Sequence, residues 1–202
     1  VDQETTDRAY VLAQDGARLD IKNSDFGYLG YLAGGNRTSG VTWLKRLNPG
    51  DPLTGPTGSV ENSKFHHNYQ GLYVSEGYAL NIVGNEIHSN QLHGIFLRDG
   101  SQASKISGNT VHTNGGNGIY LYQLATGNTV ENNPAVYANV GSGIALERAS
   151  NNNVVTGNTV YQNVDGILID ESDGNTLQAN KVSNNANGIH VKGATIDPAA
   201  GN

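Results

Sequence analysis

An all-β solenoid of stacked parallel strands is the fold class the sequence predicts, and three observations predict it. The pattern Gly-hydrophobic-x-aliphatic stands at Gly71, Gly94, Gly118, Gly143, Gly166 and Gly188, with spacings of 23, 24, 25, 23 and 22 residues. That period fits one coil of a parallel β-solenoid and is too short for most helical repeats. Asparagines recur in register between the repeats, and Gly and Asn abound where helix formers are sparse.

Aligning the six glycines builds the coil strand by strand. Leu72, Ile95, Ile119, Ile144, Ile167 and Ile189 share one column, and Val74, Leu97, Leu121, Leu146, Ile169 and Val191 another. Alternation on a strand sends both columns inward, so the second and fourth residues after each glycine face out. A second strand carries Val60, Ile82, Ile106, Val130, Val155 and Leu177, and a third carries Phe65, Ile87, Val111, Val136, Val160 and Val182. Three strands per coil of 22–25 residues, with crossovers between parallel strands nearly always right-handed, predict a right-handed parallel β-helix.

The corners follow the same register. Asn68, Asn90, Asn114, Asn139, Asn163 and Asn185 form one column after the third strand, and Asn85, Asn109, Asn133, Asn158 and Asn180 form another before it. Amides stacked at ~4.8 Å can hydrogen-bond along the axis. Asn also tolerates the left-handed backbone expected at such corners. An Asn-rich chain without this register would read as disorder.

Residues 1–59 are less regular. Gly16–Asn23 reads as part of a coil and Gly40–Leu44 as the opening of another, while 45–58 holds most of the prolines and is expected to be an exposed rim loop. The last residues, Ala194–Asn202, close no further coil. The whole of 1–202 therefore reads as a single β-helix domain, expected to belong to a longer chain. It starts at Val1 without a signal segment.

Composition narrows the function. No cysteine is present, which removes disulfides and thiolate metal sites, and no apolar run approaches the roughly 18 residues of a membrane span. A net charge of -6 argues against a nucleic-acid face, and against polyanions unless basic residues gather locally. Oligomeric state is not legible.

One face mixes aromatic rings with paired acids and bases. The outward columns of the first strand read Tyr73, Phe96, Tyr120, Ala145, Leu168, His190 and, beside them, Ser75, Arg98, Tyr122, Glu147, Asp170, Lys192; the next position adds Glu76, Asp99, Gln123, Arg148 and Glu171. Aromatic rings on a flat strand surface suit the apolar faces of sugars, and the charges suit uronate carboxylates and hydroxyls. An exposed sheet also needs polar residues for solubility alone. His66, His88 and His112 stack outward on the third strand, a pattern open to a transition metal but better read as surface histidines between two Asn ladders. The run Asp170-Glu171-Ser172-Asp173 offers oxygens for calcium, although its neighbours make no recognised loop. No other cofactor is expected.

The layout resembles the periplasmic mannuronan C5-epimerases of alginate-producing bacteria, which are right-handed β-helices. The resemblance rests on FGYLGY (Phe26 to Tyr31), the NPGD…GPTG loop (Asn48 to Gly58), SGNTVHTN (Ser107 to Asn114), SGIALERASNNN (Ser142 to Asn153) and TGNTVYQN (Thr156 to Asn163), and covers most of residues 20–192. It implies an acidic polysaccharide as partner and a periplasmic or secreted location. Those epimerases carry Asp-Pro-His-Asp after the Gly-hydrophobic pair of one coil. Here that coil reads Gly94-Ile95-Phe96-Leu97-Arg98-Asp99, so the motif histidine falls on Arg98, the first acid on Phe96, and only the last acid is kept as Asp99.

Epimerisation and β-elimination of a uronate both begin by removing the C5 proton, which requires a base and a neutralised carboxylate. Arg98 suits the carboxylate. Tyr122, one rung away, suits a base or acid if the guanidinium lowers its pKa, and Tyr73 and Tyr120 are candidates for the second proton carrier. Phe96, Gln123, Glu147, Arg148, Asp170, His190 and Lys192 are the expected substrate contacts. Two further readings stand beside this one: a noncatalytic β-helix that binds polysaccharide or serves as a scaffold, and a glycoside hydrolase using Glu147 with Asp170 or Asp99. Acid–base carboxylates in hydrolases stand roughly 5–9.5 Å apart, which one or two rungs can supply.

Overall fold

The computed structural model describes residues 8–32, 38–45 and 55–193, and among them the chain is entirely a right-handed parallel β-helix. Three parallel sheets run along its axis, with eight strands in the first and seven in each of the others. Each coil lays one strand on each sheet. In the coil beginning at Ile95 these are Ile95–Arg98, Lys105–Ser107 and Thr110–His112.

The register agrees with the aligned glycines. Leu72, Ile95, Ile119, Ile144, Ile167 and Ile189 pair rung to rung, and Val41 and Val11 extend the column toward the N-terminus. The strand Val11–Gln14, absent from the repeat pattern because no motif glycine precedes it, opens the first coil. Arg18–Lys22 joins the second sheet and Asp25–Gly27 the third, where Phe26 stacks on Phe65 at 5.4 Å. The inward columns form one core along the axis, with Trp43 and Phe65 as its bulkiest filling. Each fully buried aliphatic side chain contributes about 1.5–3 kcal/mol.

The motif glycines have a steric cause. A Cβ on Gly94 would stand 2.6 Å from the Gly118 carbonyl oxygen, 2.6 Å from a Val111 methyl and 2.9 Å from the Asn114 amide. The same three neighbours, one coil on, meet Gly118. The glycine is thus the place where backbone, core and Asn ladder close on one another.

Both Asn ladders form, and a third accompanies them at the corner between the first and second sheets. In each, the side-chain oxygen accepts the backbone N–H of the preceding rung's ladder residue, as from Asn90 to Asn114 and from Asn109 to Asn133. The third ladder runs Ser104, Asn128, Asn153, Asn175. One expectation is corrected here. The ladder asparagines are not left-handed; the residue before each one is, as at Thr113, Asn132, Ala138 and Gln162, with φ between 51° and 57°. The left-handed residue turns the chain, and the asparagine after it points inward to satisfy buried amides. Asn is therefore selected for its hydrogen bonds rather than for its backbone.

Most of the expected rim loop, 45–58, falls on residues that are not described. Residues 46–54 lie outside the described residues, as does the closing segment 194–202. Gly55 and Pro56 are already buried, and Thr57 and Gly58 belong to the strand Thr57–Glu61. Gly55 lies against the Glu76 backbone so closely that no side chain would fit. Among the described residues, no helix is long and apolar enough to cross a membrane.

Candidate functional site

The outer face of the first sheet places the predicted residues in the expected columns. Phe96 lies between Tyr73 and Tyr120, and Arg98 between Ser75 and Tyr122, in direct register. Tyr122 is followed by Glu147, Asp170 and Lys192. Asp99, Gln123 and Arg148 each take the left-handed corner just after a strand, with φ of 53°, 49° and 55°. Corners all along the helix do the same, so this backbone marks a turn rather than a catalytic strain.

The aromatic column is not an open sugar platform. Tyr73, Phe96 and Tyr120 face outward yet are only 1%, 6% and 9% exposed, and with Ala145 and Leu168 they form a second apolar cluster. Phe96 and Tyr120 stack at 4.9 Å, and Tyr73 meets Phe96 edge-on. The ring of His93, from the turn before Gly94, leans over Phe96 and Tyr120 at 4.9 and 4.8 Å. Burial raises both phenols well above their ordinary range; Arg98 opposes this at Tyr73, while Glu147 adds to it at Tyr120. Tyr120 donates to Glu147 Oε2 at 3.0 Å. Both phenols are therefore held neutral, and burial keeps each from giving up its proton readily.

Arg98 sits in a fixed cradle. Its Nε lies 2.7 Å from Asp99 Oδ2, and Nη2 donates to Gln123 Oε1 at 3.3 Å. Asp99 Oδ2 also accepts the Ser75 hydroxyl at 2.8 Å. The guanidinium carbon stands 5.7 Å from the Phe96 ring and 5.6 Å from that of Tyr122, and Arg148 approaches Tyr122 at 5.6 Å from its own position. Tyr122 thus lies between two cations, which attract its ring face. Asp99 offsets part of the Arg98 charge, and Asp170, 3.7 Å from Lys192, does the same there.

A polar column beside this face escaped the sequence reading. The residues just before the motif glycines are Gln70, His93, Asn117, Ser142, Asp165 and Asn187, every one polar. His93 Nδ1 accepts the Asn117 N–H at 2.9 Å, and Asn117 Oδ1 accepts the Ser142 N–H at 2.8 Å. Burial pulls His93 down to about 4, so its ring is neutral with Nδ1 as acceptor. The column ends where His190 Nδ1 meets Asp165 Oδ1 at 3.0 Å. An unbroken polar position beside an apolar motif was the available signal.

On the third sheet, His66, His88, His112, Tyr137 and Tyr161 stack ring on ring at 4.8–5.5 Å. Their faces are spent on one another. Burial and the neighbouring His112 lower the His88 pKa. Among the described residues no group of three or more His, Asp or Glu side chains converges as metal ligands.

A β-helix with charged side chains along the outer face of one sheet defines the class. The model for the right-handed β-helix region matches residues 53–198, and the chain belongs to that family. Among solved structures, the periplasmic alginate epimerase AlgG matches at 28% identity with a TM-score of 0.81, covering 90% of this chain and 44% of that one. Mutants of AlgG match at 29–31% identity with TM-scores of 0.83–0.85. The mannuronan C-5 epimerase AlgE6 A-module of Azotobacter vinelandii, at 15% identity and a TM-score of 0.56 over 87% of this chain and 58% of that one, shares the fold. The chain spans less than half the length of the AlgG structures. No curated protein matches it.

Proposed function

We propose that the chain is an extracytoplasmic polysaccharide-modifying protein that acts on a uronate polymer such as alginate, by C5-epimerisation or β-elimination. One observation carries this reading: Arg98 and Lys192 bracket Tyr122, Glu147 and Asp170 in one outward column, with Arg148 at the corner beside Glu147, in a chain 28% identical to AlgG over 90% of its own length. Cations spaced along the axis suit successive carboxylates of a polyuronate, and the interleaved acids accept sugar hydroxyls. Arg98, oriented by Asp99 and Gln123, holds a carboxylate.

A noncatalytic reading has its own support. Arg98 stands where the resembled motif has histidine, and Asp99 takes up part of its charge. On that reading polysaccharide binds along the same face without turnover. Incubation with polymannuronate, followed by proton NMR and by ultraviolet absorbance of unsaturated ends, separates the readings. Guluronate signals indicate epimerisation and unsaturated ends indicate elimination. Neither product, with the polymer still bound, leaves the binding protein.

A further inference from the structure

We infer that the proton-abstracting group on this face is His190, held by Asp165 and served by Lys192, and that the Arg98 rung is a binding subsite. The inference rests on the proposed uronate chemistry and adds the base which that chemistry requires.

Four ionisable groups around Arg98 are poorly placed to act as the base. Tyr73 and Tyr120 are kept neutral by burial, and Tyr120 is committed as a donor to Glu147. His93 is tied through Nδ1 to a backbone N–H. Asp99 is engaged by Ser75 and Arg98.

His190 differs on each count. It occupies the outward column of the same sheet, in register with Leu168 and, through it, with Tyr120 and Phe96. Its side chain is 39% exposed, and its Nδ1 lies 3.0 Å from the Asp165 carboxylate. That carboxylate is 11% exposed and is fixed by Asn187 Nδ2 at 2.8 Å and Ser142 Oγ at 3.4 Å. An acid so buried and so fixed takes the Nδ1 proton as its partner, selects that tautomer, and leaves Nε2 as a free acceptor; it also stabilises the imidazolium once formed. Lys192, two residues on along the same strand and 3.7 Å from Asp170, supplies the ammonium for the uronate carboxylate. Four rungs of ~4.8 Å separate this pair from Arg98, about 19 Å along the axis, a span that a polymer lying along the sheet bridges.

The step balances without another cofactor. The C5 proton passes to His190 Nε2, and the C–H electron pair moves into the carboxylate as an enediolate beside Lys192. A proton from water on the opposite face gives the inverted centre, and the hydroxide left behind takes the proton from the imidazolium.

The test is solvent deuterium incorporation at C5 of polymannuronate in heavy water, read by NMR, with polymer affinity and thermal melting measured in parallel. Wild-type protein is expected to exchange. His190→Gln is expected to lose at least ~100-fold of that rate, with affinity changed less than about twofold and melting unchanged, a split that a merely structural histidine would not produce. Asp165→Asn is expected to lose exchange as well, and Arg98→Ala to raise the polymer KM. Exchange retained in His190→Gln overturns the assignment and leaves the proposed function standing. A wild type that gives neither C5 exchange nor unsaturated ends overturns both.

Discussion

Replacing Asn133 with alanine removes one rung of a buried ladder. Its Oδ1 accepts the Asn109 backbone N–H at 2.9 Å and the Asn109 amide at 3.1 Å, while its Nδ2 donates to the Ile106 carbonyl at 3.2 Å and to Asn158 Oδ1 at 2.8 Å. Not all of these losses are equal. The Asn109 amide keeps the Ile82 carbonyl, and Asn158 Oδ1 keeps the Asn133 backbone N–H. The Asn109 backbone N–H, fully buried, loses its acceptor. An orphaned buried donor costs about 1–3 kcal/mol, and the remaining bonds add fractions of ~1 kcal/mol each, so Asn133→Ala is expected to lose about 3 kcal/mol. Asn133 is not left-handed, so alanine brings no backbone penalty. Urea unfolding followed by circular dichroism measures the loss against the exposed control Gln178→Ala, expected within about 0.5 kcal/mol of wild type. A loss as small as the control's would refute the view that the ladders hold the corners together.

Three further outcomes follow from the same geometry. Gly118→Ala puts a Cβ 2.7 Å from the Gly143 carbonyl oxygen and 2.8 Å from the Asn139 amide, and overpacking of this kind lowers stability by about 1–3 kcal/mol in thermal melts. His93, pulled down to about 4 by burial, is held neutral in the fold, so its stabilisation is whole above the ordinary imidazole pKa of 6.5 and is lost as pH falls from there toward 4. The full shift corresponds to ~3 kcal/mol and residual solvent contact reduces it to roughly 2 kcal/mol, so His93→Asn, which keeps an acceptor for the Asn117 N–H, should lose about that much less than wild type between pH 7 and 4. Arg98→Ala should weaken oligomannuronate binding roughly tenfold or more in calorimetry, the loss of a charge-assisted contact.

Much of this fold was legible because one rule repeats. Every inward aliphatic column, from Leu72 to Ile189 and from Val60 to Leu177, appears in the structure rung for rung. The first coil was partly hidden, since Val11–Gln14 has no motif glycine and pairs only with Gly40–Leu44. The corner chemistry was half read. Asn hydrogen bonding was visible in the columns, but which residue turns left-handed depends on where the inward side chain must point, a three-dimensional condition. At the site, alternation placed Tyr73, Phe96 and Tyr120 outward correctly yet could not reveal that His93 leans over Phe96 and Tyr120. Outward and exposed coincide only where no turn folds over the sheet. Asp165 was overlooked for the same reason: its significance lies in His190, 25 residues away in sequence and 3.0 Å away in space.

The most direct test of the account is a crystal structure with an oligomannuronate bound. The sugar is expected along the outer face of the first sheet, with one carboxylate at the Arg98 guanidinium, another at Lys192, and a C5 hydrogen facing His190 Nε2. Density over the stacked His66–Tyr161 face instead, or a bare first-sheet face at saturating oligomer, would contradict it.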